Sequence, residues 1–310
     1  MNHLETRHQQ IQQYKKLEVL ASQVVEGFIS GMHKSSFHGF SSEFAEHKLY
    51  NNGESTKYID WKLYARTERL YTKRYEEETN LRAHIIIDNS SSMHYPLIKN
   101  KDDVFSNKLG FSVLASAVLM NILKRQRDAV GLSIYAQKMQ YYSPEKGNER
   151  HHAQLLDRLN DLLSQSNVRE STTNTVENLH LIAEKIHRRS LIFLFTDFLQ
   201  NSDQDKLFDA LHHLKHNKHK VVLFHVHHKA TELDFNFGST PRKFVDLESG
   251  TTVELFADQF KETYQKQAEE YFKTIKQSCM KYKIRYVPVA IEDNFDKVIS
   301  SYLIEKQLFR

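Results

Sequence analysis

Two kinds of hydrophobic pattern alternate along most of this chain. Unbroken apolar runs occur at Ile85-Ile86-Ile87 and Leu191–Phe195, and short apolar-rich segments at Val130–Tyr135, Val221–Val226 and Ile284–Val289. Between them, apolar positions recur every three or four residues, near 106–125, 150–164, 175–188, 204–216, 257–281 and 294–307. The short segments read as strands, the two unbroken runs as strands buried on both faces, and the spaced segments predict amphipathic helices. Strands alternating with helices imply an α/β fold: a mostly parallel sheet with helices on both faces. Lys138–Ser143 is expected as a hairpin partner of the 130–135 strand, and Phe244–Leu255, around Ser249-Gly250, as a second hairpin.

The first part of the chain reads differently. Residues 3–32 predict a helix with Leu17, Leu20, Val24 and Phe28 on one stripe, widened by Ala21 and Val25 and ended by Gly31. Residues 35–83 hold many aromatics, a turn signal at Asn51-Asn52-Gly53 and little helical period, which predicts short strands and loops. The expected organisation is an N-terminal helix and β-rich extension over 1–82, followed by the α/β domain over 83–310. Trp61, the single tryptophan, is expected as a buried aromatic anchor of that extension.

Composition narrows the function classes. The chain has 310 residues, 40% hydrophobic and 26% charged, with 43 basic and 39 acidic side chains and a net charge of +4. That balance does not describe a dedicated nucleic-acid binder. One cysteine, Cys279, allows no intramolecular disulfide, which fits a reducing compartment. The polar start has no apolar core of a signal peptide, and no run of about 18 apolar residues occurs. The expected location is cytoplasmic, with no membrane span. No P-loop, no GxGxxG after a strand and no GxSxG elbow is present.

The candidate chemistry lies where strands end. Ile87 leads into Asp88-Asn89-Ser90-Ser91-Ser92, and Phe195 leads into Thr196-Asp197. Loops beyond the carboxyl ends of parallel strands are where open α/β sheets bind ligands. Between them lies the hydroxyl-rich stretch Ser171-Thr172-Thr173-Asn174-Thr175. A hard divalent cation, Mg²⁺ or Mn²⁺, takes oxygen ligands in octahedral geometry. Asp88 would supply charge, Ser90, Ser92 and Thr173 neutral oxygens, and Asp197 a direct or water-mediated contact. So few anionic ligands would leave the metal able to accept a carboxylate from a partner.

Asp88-x-Ser90-x-Ser92 resembles the metal-ion-dependent adhesion site of von Willebrand factor A-like domains, with Thr196-Asp197 at the later strand end. Upstream, Gly27-x-x-x-Gly31-x-His33-x-Ser35, Gly39-Phe40-Ser41-x-Glu43-Phe44-x-Glu46, Ile59-Asp60-Trp61-Lys62 and Ala65-Arg66-Thr67 resemble the bacterial family known as domain of unknown function 58. So do Lys73–Leu81 and Arg127-Asp128-Ala129-Val130-Gly131. The resemblance implies a von Willebrand factor A-like fold and a non-enzymatic interaction module. Its implied partner is a MoxR-type AAA+ ATPase, a client protein donating an acidic residue to the metal, or both, in the maturation of proteins or complexes. Where many such domains carry Gly-Gly-Thr, this chain has Ser171-Thr172-Thr173, so Thr172 and Thr175 rival Thr173 as the middle ligand.

The same residues admit other readings. A metal-dependent hydrolase would use Asp197 as its base, and a structural subunit would retain only a vestigial site. The histidines at 212, 213, 216, 219, 225, 227 and 228 invite zinc, but without nearby cysteine or an HExxH pattern they read as ordinary surface and core residues. Glu76-Glu77-Glu78 reads as a solvated charged face.

Overall fold

The computed structural model describes residues 17–28, 47–50, 61–73, 81–98, 103–164, 174–198, 204–247 and 250–309. The central feature is a six-stranded sheet. Its strands are β3 (Arg82–Asp88), β4 (Ala129–Tyr135), β5 (Met139–Lys146), β6 (Leu191–Thr196), β7 (Lys220–His227) and β10 (Arg285–Ala290), in the spatial order β10-β7-β6-β3-β4-β5. All neighbours are parallel except β5, which runs antiparallel to β4 at one edge, as the 138–143 hairpin expectation required. From β3 the chain moves outward through β4 to β5. It then returns to β6 on the other side of β3 and proceeds through β7 to β10. The order therefore reverses between β3 and β6, which makes their carboxyl ends a topological switch point.

Successive side chains alternate between the two faces of the sheet, and both faces are covered. Ile85, Ile87, Phe193, Phe195, Val222 and Phe224 join one buried cluster with helices α3 (Lys108–Arg125), α4 (Glu149–Ser164) and α8 (Asp296–Phe309). Ile86, Ile192, Leu194, Val221 and Leu223 join the other with α5 (Thr175–Lys185), α6 (Gln204–His216) and α7 (Ala257–Lys281). Helix α3 is buried almost all round, so its apolar positions show no narrow stripe. Its two inward hydroxyls, Ser112 and Ser116, donate to the carbonyls of Lys108 and Ser112 one turn back and need no other partner. This is the mostly parallel, doubly covered von Willebrand factor A-like arrangement that the sequence predicted.

The N-terminal helix, α1, is described over 17–28. Its stripe behaves as predicted: Leu17, Ala21 and Val25 are buried in the first cluster. Burying Leu17 and Val25 contributes about 1.5–3 kcal/mol each. Asn121 of α3 donates to Ser22 Oγ at 3.0 Å, and Arg125 pairs with Glu26 at 3.2 Å. The remainder of the expected 3–32 helix lies outside the described residues. This packing redraws the expected boundary. Helix α1 and Leu81–Arg310 fall into one compact unit, and Ser30–Asn80 form a separate one.

In that smaller unit β1 (His47–Leu49) pairs antiparallel with β2 (Tyr71–Lys73), in keeping with the short strands expected there. Trp61–Thr67, however, forms a helix, α2, in place of loop or strand. Lys, Leu, Ala and Arg are good helix formers, and a single turn or two is too short to show a period. Trp61 is 61% exposed and meets Tyr64 edge to face at 6.2 Å, so it is not the buried anchor expected. Asp60 and Glu76–Glu78 lie outside the described residues. The remaining hairpin, β8 (Pro241–Val245) with β9 (Thr252–Phe256), stands where the Phe244–Leu255 pattern placed one.

Candidate metal centre

The Asp88 carboxylate sits at the carboxyl end of β3, only 1% exposed. Its Oδ1 accepts the Ser90 amide at 3.0 Å, which closes the loop tightly after the strand. Its Oδ2 accepts the hydroxyls of Thr196 at 2.7 Å and Tyr135 at 3.2 Å. Thr196 thereby ties the end of its own strand to that of β3, and its hydroxyl also accepts the Phe198 amide at 3.2 Å. A one-turn 3₁₀ helix, Ser92–His94, follows the loop and brings Ser92 Oγ to 3.1 Å from Ser90 Oγ. Adjacent oxygens around an octahedral Mg²⁺ lie about 3.0 Å apart, given a metal–oxygen distance near 2.1 Å. The serine pair therefore has the spacing of one edge of such an octahedron, and the donors, one carboxylate and two hydroxyls, suit a hard cation.

Electrostatics set the same site apart. Burial pushes the Asp88 carboxyl up to about 6, and the charge of Asp197 adds to the shift. Hydrogen bonds from Thr196 and Ser90 oppose it. Two carboxylates are thus held close enough to repel in a desolvated place, which is the condition a bound cation relieves. Tyr135 is driven well above its ordinary pKa by burial and by Asp88, so its phenol remains a donor.

Asp197 has an internal cation beside it. The Lys108 ammonium, wholly buried, lies 2.7 Å from Asp197 Oδ2 and 2.5 Å from Glu232 Oε1. Burial pulls the lysine pKa down, but Asp197 and Glu232 outweigh burial and hold it above the usual lysine value. Lys108 is placed by the start of α3. Asn107 caps that helix by accepting the Gly110 amide at 2.7 Å, and the Lys108 amide donates to Tyr95 O at 3.0 Å. A Cβ on Gly110 would fall 2.0 Å from Val104 O, so only glycine lets the preceding turn cross here. Glu232 lies on the π-helical turn Lys229–Leu233 after β7, where its second oxygen accepts the His228 amide at 2.7 Å. Next to this group lies a cavity of about 200 Å³ whose lining includes Asp197, Glu232, His225, His227, Tyr264 and Phe272.

The structure brings Asp88, Ser90 and Ser92 together with Thr196, and places Asp197 at the neighbouring strand end. Thr172 and Thr173 lie outside the described residues. Thr175, the other rival, is buried at the first position of α5 and hydrogen-bonds with the Tyr135 phenol, one residue removed from Asp88. Sequence reasoning missed Tyr135, Lys108 and Glu232. Tyr135 is one residue of an apolar strand, Lys108 looks like any basic residue near a helix, and Glu232 lies in a segment without period.

The other candidates resolve into packing. Among the described residues, no group of three or more His, Cys, Asp or Glu side chains is arranged to hold a metal ion. His225 donates to or accepts from Tyr286 Oη at 2.8 Å and bonds the Asp197 carbonyl at 2.9 Å. Burial, with His227 adding, pushes it down to about 3, so it is a neutral core residue. His84 joins Glu145 at 2.6 Å and Ser133 Oγ at 2.7 Å, the connectivity of a serine triad. Ser133 and His84 are fully buried, and the His84 ring stacks on Tyr142. That is a buried polar cluster of the sheet with no exposed nucleophile.

The fold and these strand-end residues define a von Willebrand factor A-like α/β domain with a candidate cation site at its switch point. The chain belongs to the family described as "Protein of unknown function DUF58", whose sequence model matches residues 46–273. A segment of 81 residues is 27% identical to uncharacterized proteins of Mycobacterium tuberculosis and Mycobacterium bovis. It covers 26% of this chain and 26% of each of those proteins, so the match spans about a quarter of the curated relatives. Among solved structures, BatB from Bacteroides thetaiotaomicron is similar at 15% identity, over 74% of this chain and 100% of that one, with a TM-score of 0.43. An aerotolerance-related membrane protein from Bacteroides fragilis is similar at 13% identity, 74% and 98% coverage, TM-score 0.43. The SpRpn10 VWA domain is similar at 14% identity, 71% and 94% coverage, TM-score 0.37. Among the described residues of this chain, no helix is long and apolar enough to cross a membrane.

Proposed function

We propose that this protein is a non-enzymatic, metal-dependent protein-interaction module. Asp88, Ser90 and Ser92, with a threonine from 172–175 and with Asp197, would hold Mg²⁺ or Mn²⁺, and a partner's carboxylate would complete the coordination. The observation that carries this reading is the Ser90–Ser92 hydroxyl pair, 3.1 Å apart beside a buried carboxylate that three donors hold in place. Bound there, the cation would supply a Lewis-acidic position for an incoming acid. The protein's own residues orient Asp88 and keep bulk water from it.

A hydrolase reading finds less support. It needs a base, and Asp197, the residue the sequence offers for that role, is ion-paired with Lys108. The partner class comes from the family resemblance: a MoxR-type AAA+ ATPase, with this chain as adaptor or chaperone-like component, in the cytoplasm. The test is capture of partners on the immobilised full chain from the native cell, with and without EDTA. An ATPase retained by the wild-type protein and lost with EDTA or in Asp88→Ala is the expected result. Retention that ignores both treatments would sink the proposal, as would turnover of a phosphoester substrate that disappears in Asp88→Ala.

A further inference from the structure

Lys108 is not required by the fold in any way that its sequence position reveals, yet it is wholly buried against two carboxylates. An ammonium at such depth is costly to desolvate and persists only where partners compensate it. One of those partners, Asp197, is also a residue the candidate metal centre calls on. The other, Glu232, is fixed from behind by the His228 amide.

We infer that Lys108 is an internal counter-cation that sets how tightly the site holds a divalent metal ion, pairing with Asp197 while Glu232 draws it away. The inference rests on the metal reading above and adds to it a residue that determines affinity. The charges support it. Asp88, Asp197 and Glu232 with Lys108 carry two net negative charges, which one divalent cation neutralises. Without the lysine, a third negative charge is uncompensated and the cation is held more tightly. Without the Glu232 charge, the ammonium rests on Asp197 alone, one net negative charge is left, and the cation is held more weakly. Unit charges a few ångströms apart interact at the kcal/mol scale even at an effective dielectric of about 20. Each change therefore shifts affinity by roughly tenfold or more.

Mn²⁺ titrated into the full chain, with unbound Mn²⁺ read by electron paramagnetic resonance, measures this directly. Lys108→Met is expected to bind Mn²⁺ at least about tenfold more tightly than wild type, and Glu232→Gln more weakly by a similar factor. Circular dichroism checks that each variant is folded. If Lys108→Met does not fold, Glu232→Gln alone decides, and unchanged or tighter binding there overturns the inference. Wild type and Lys108→Met binding equally would overturn it while leaving the metal reading intact. Binding by Lys108→Met but not by wild type would support the role of the lysine and overturn metal-dependent function of the wild-type chain. Binding by neither would overturn both.

Discussion

Thr196 donates its hydroxyl to Asp88 Oδ2 at 2.7 Å, joining the ends of β6 and β3 across the point where the sheet reverses order. Both residues are buried. The bond serves a charged acceptor in a dry place, and the same hydroxyl accepts the Phe198 amide. Replacing Thr196 by Val keeps the shape and strands both groups. The expected cost is about 1.5–3 kcal/mol, the range for hydrogen bonds to charged groups, read from urea denaturation. A loss below about 0.5 kcal/mol would show that Asp88 is held in place by its other donors alone.

Asp88→Asn separates function from stability. The folded pKa of Asp88 is raised to about 6 from 3.8 by burial and by Asp197. The folded state therefore binds its proton more tightly than the unfolded chain does. This favourable contribution is fully present below about 3.8 and is lost as pH rises through about 6. At pH 7.5 the ionised carboxylate is a burden in the metal-free protein. Asn keeps an oxygen for the Ser90 amide, and the Thr196 and Tyr135 hydroxyls can turn to accept its amide. Metal-free Asp88→Asn should match or exceed wild type in melting temperature at pH 7.5. Under the proposed metal binding, wild type at about 100 times its dissociation constant should gain about 2.7 kcal/mol from Mg²⁺, and the variant should gain nothing. A variant that is strongly destabilised without metal would contradict this account of the site.

The sheet was legible in the sequence because its strands are buried on both faces. Ile85-Ile86-Ile87 and Leu191–Phe195 are apolar without interruption, and the loops that end them carry Asp88 and Asp197. Helix α7 spans Ala257–Lys281, as its period predicted, because one face of a long surface helix repeats many times. Helix α2 was not legible, since seven residues hold too few turns for a pattern to repeat. Lys108 was hidden for another reason. A buried lysine is defined by what lies opposite it, and Asp197 and Glu232 are 89 and 124 residues away in the chain. Pairings of that kind are a property of the folded sheet, not of any local window.

Acid should unfold this protein earlier than its carboxylates alone require. Burial lowers the pKa of His94, His152, His219 and His227, and pushes His225 down to about 3. His225 faces the Asp197 carbonyl, the Tyr286 hydroxyl, His227 and the Lys108 charge. The unfolded chain takes up protons on these residues near pH 6.5, and the folded chain takes them up only at lower pH. Stability is therefore present above about 6.5 and is lost as pH falls below it, for His225 down to about 3. Each such group contributes a slope of up to about 1.4 kcal/mol per pH unit. Asp88, Asp157 and Glu232, all raised, act in the opposite direction, but they are three against five. Urea midpoints between pH 7 and 4.5 should fall steadily, and His225→Gln, which does not titrate, should flatten part of that fall. A midpoint that rises on acidification would mean that the raised carboxylates dominate.

Gly131 in β4 tests how closely the sheet is built around the His84 cluster. A Cβ at this position would stand 2.5 Å from His84 Nδ1 and 2.8 Å from Ser143 O. The first contact falls on the nitrogen that bonds Glu145, and the second on backbone of the neighbouring strand β5. Neither the His84 ring, stacked on Tyr142 and tied to Ser133, nor the strand can yield without losing a bond. Gly131→Ala should therefore destabilise by about 1–3 kcal/mol, the cost of overpacking, even though alanine suits a strand no worse than glycine. In Gly131→Ala combined with His84→Ala, where the ring is absent, the side-chain part of that cost should disappear. Equal penalties from Gly131→Ala in the two backgrounds would place the clash on the β5 backbone alone. The metal binding proposed at Asp88, four residues beyond His84 on β3, should be unchanged in Gly131→Ala.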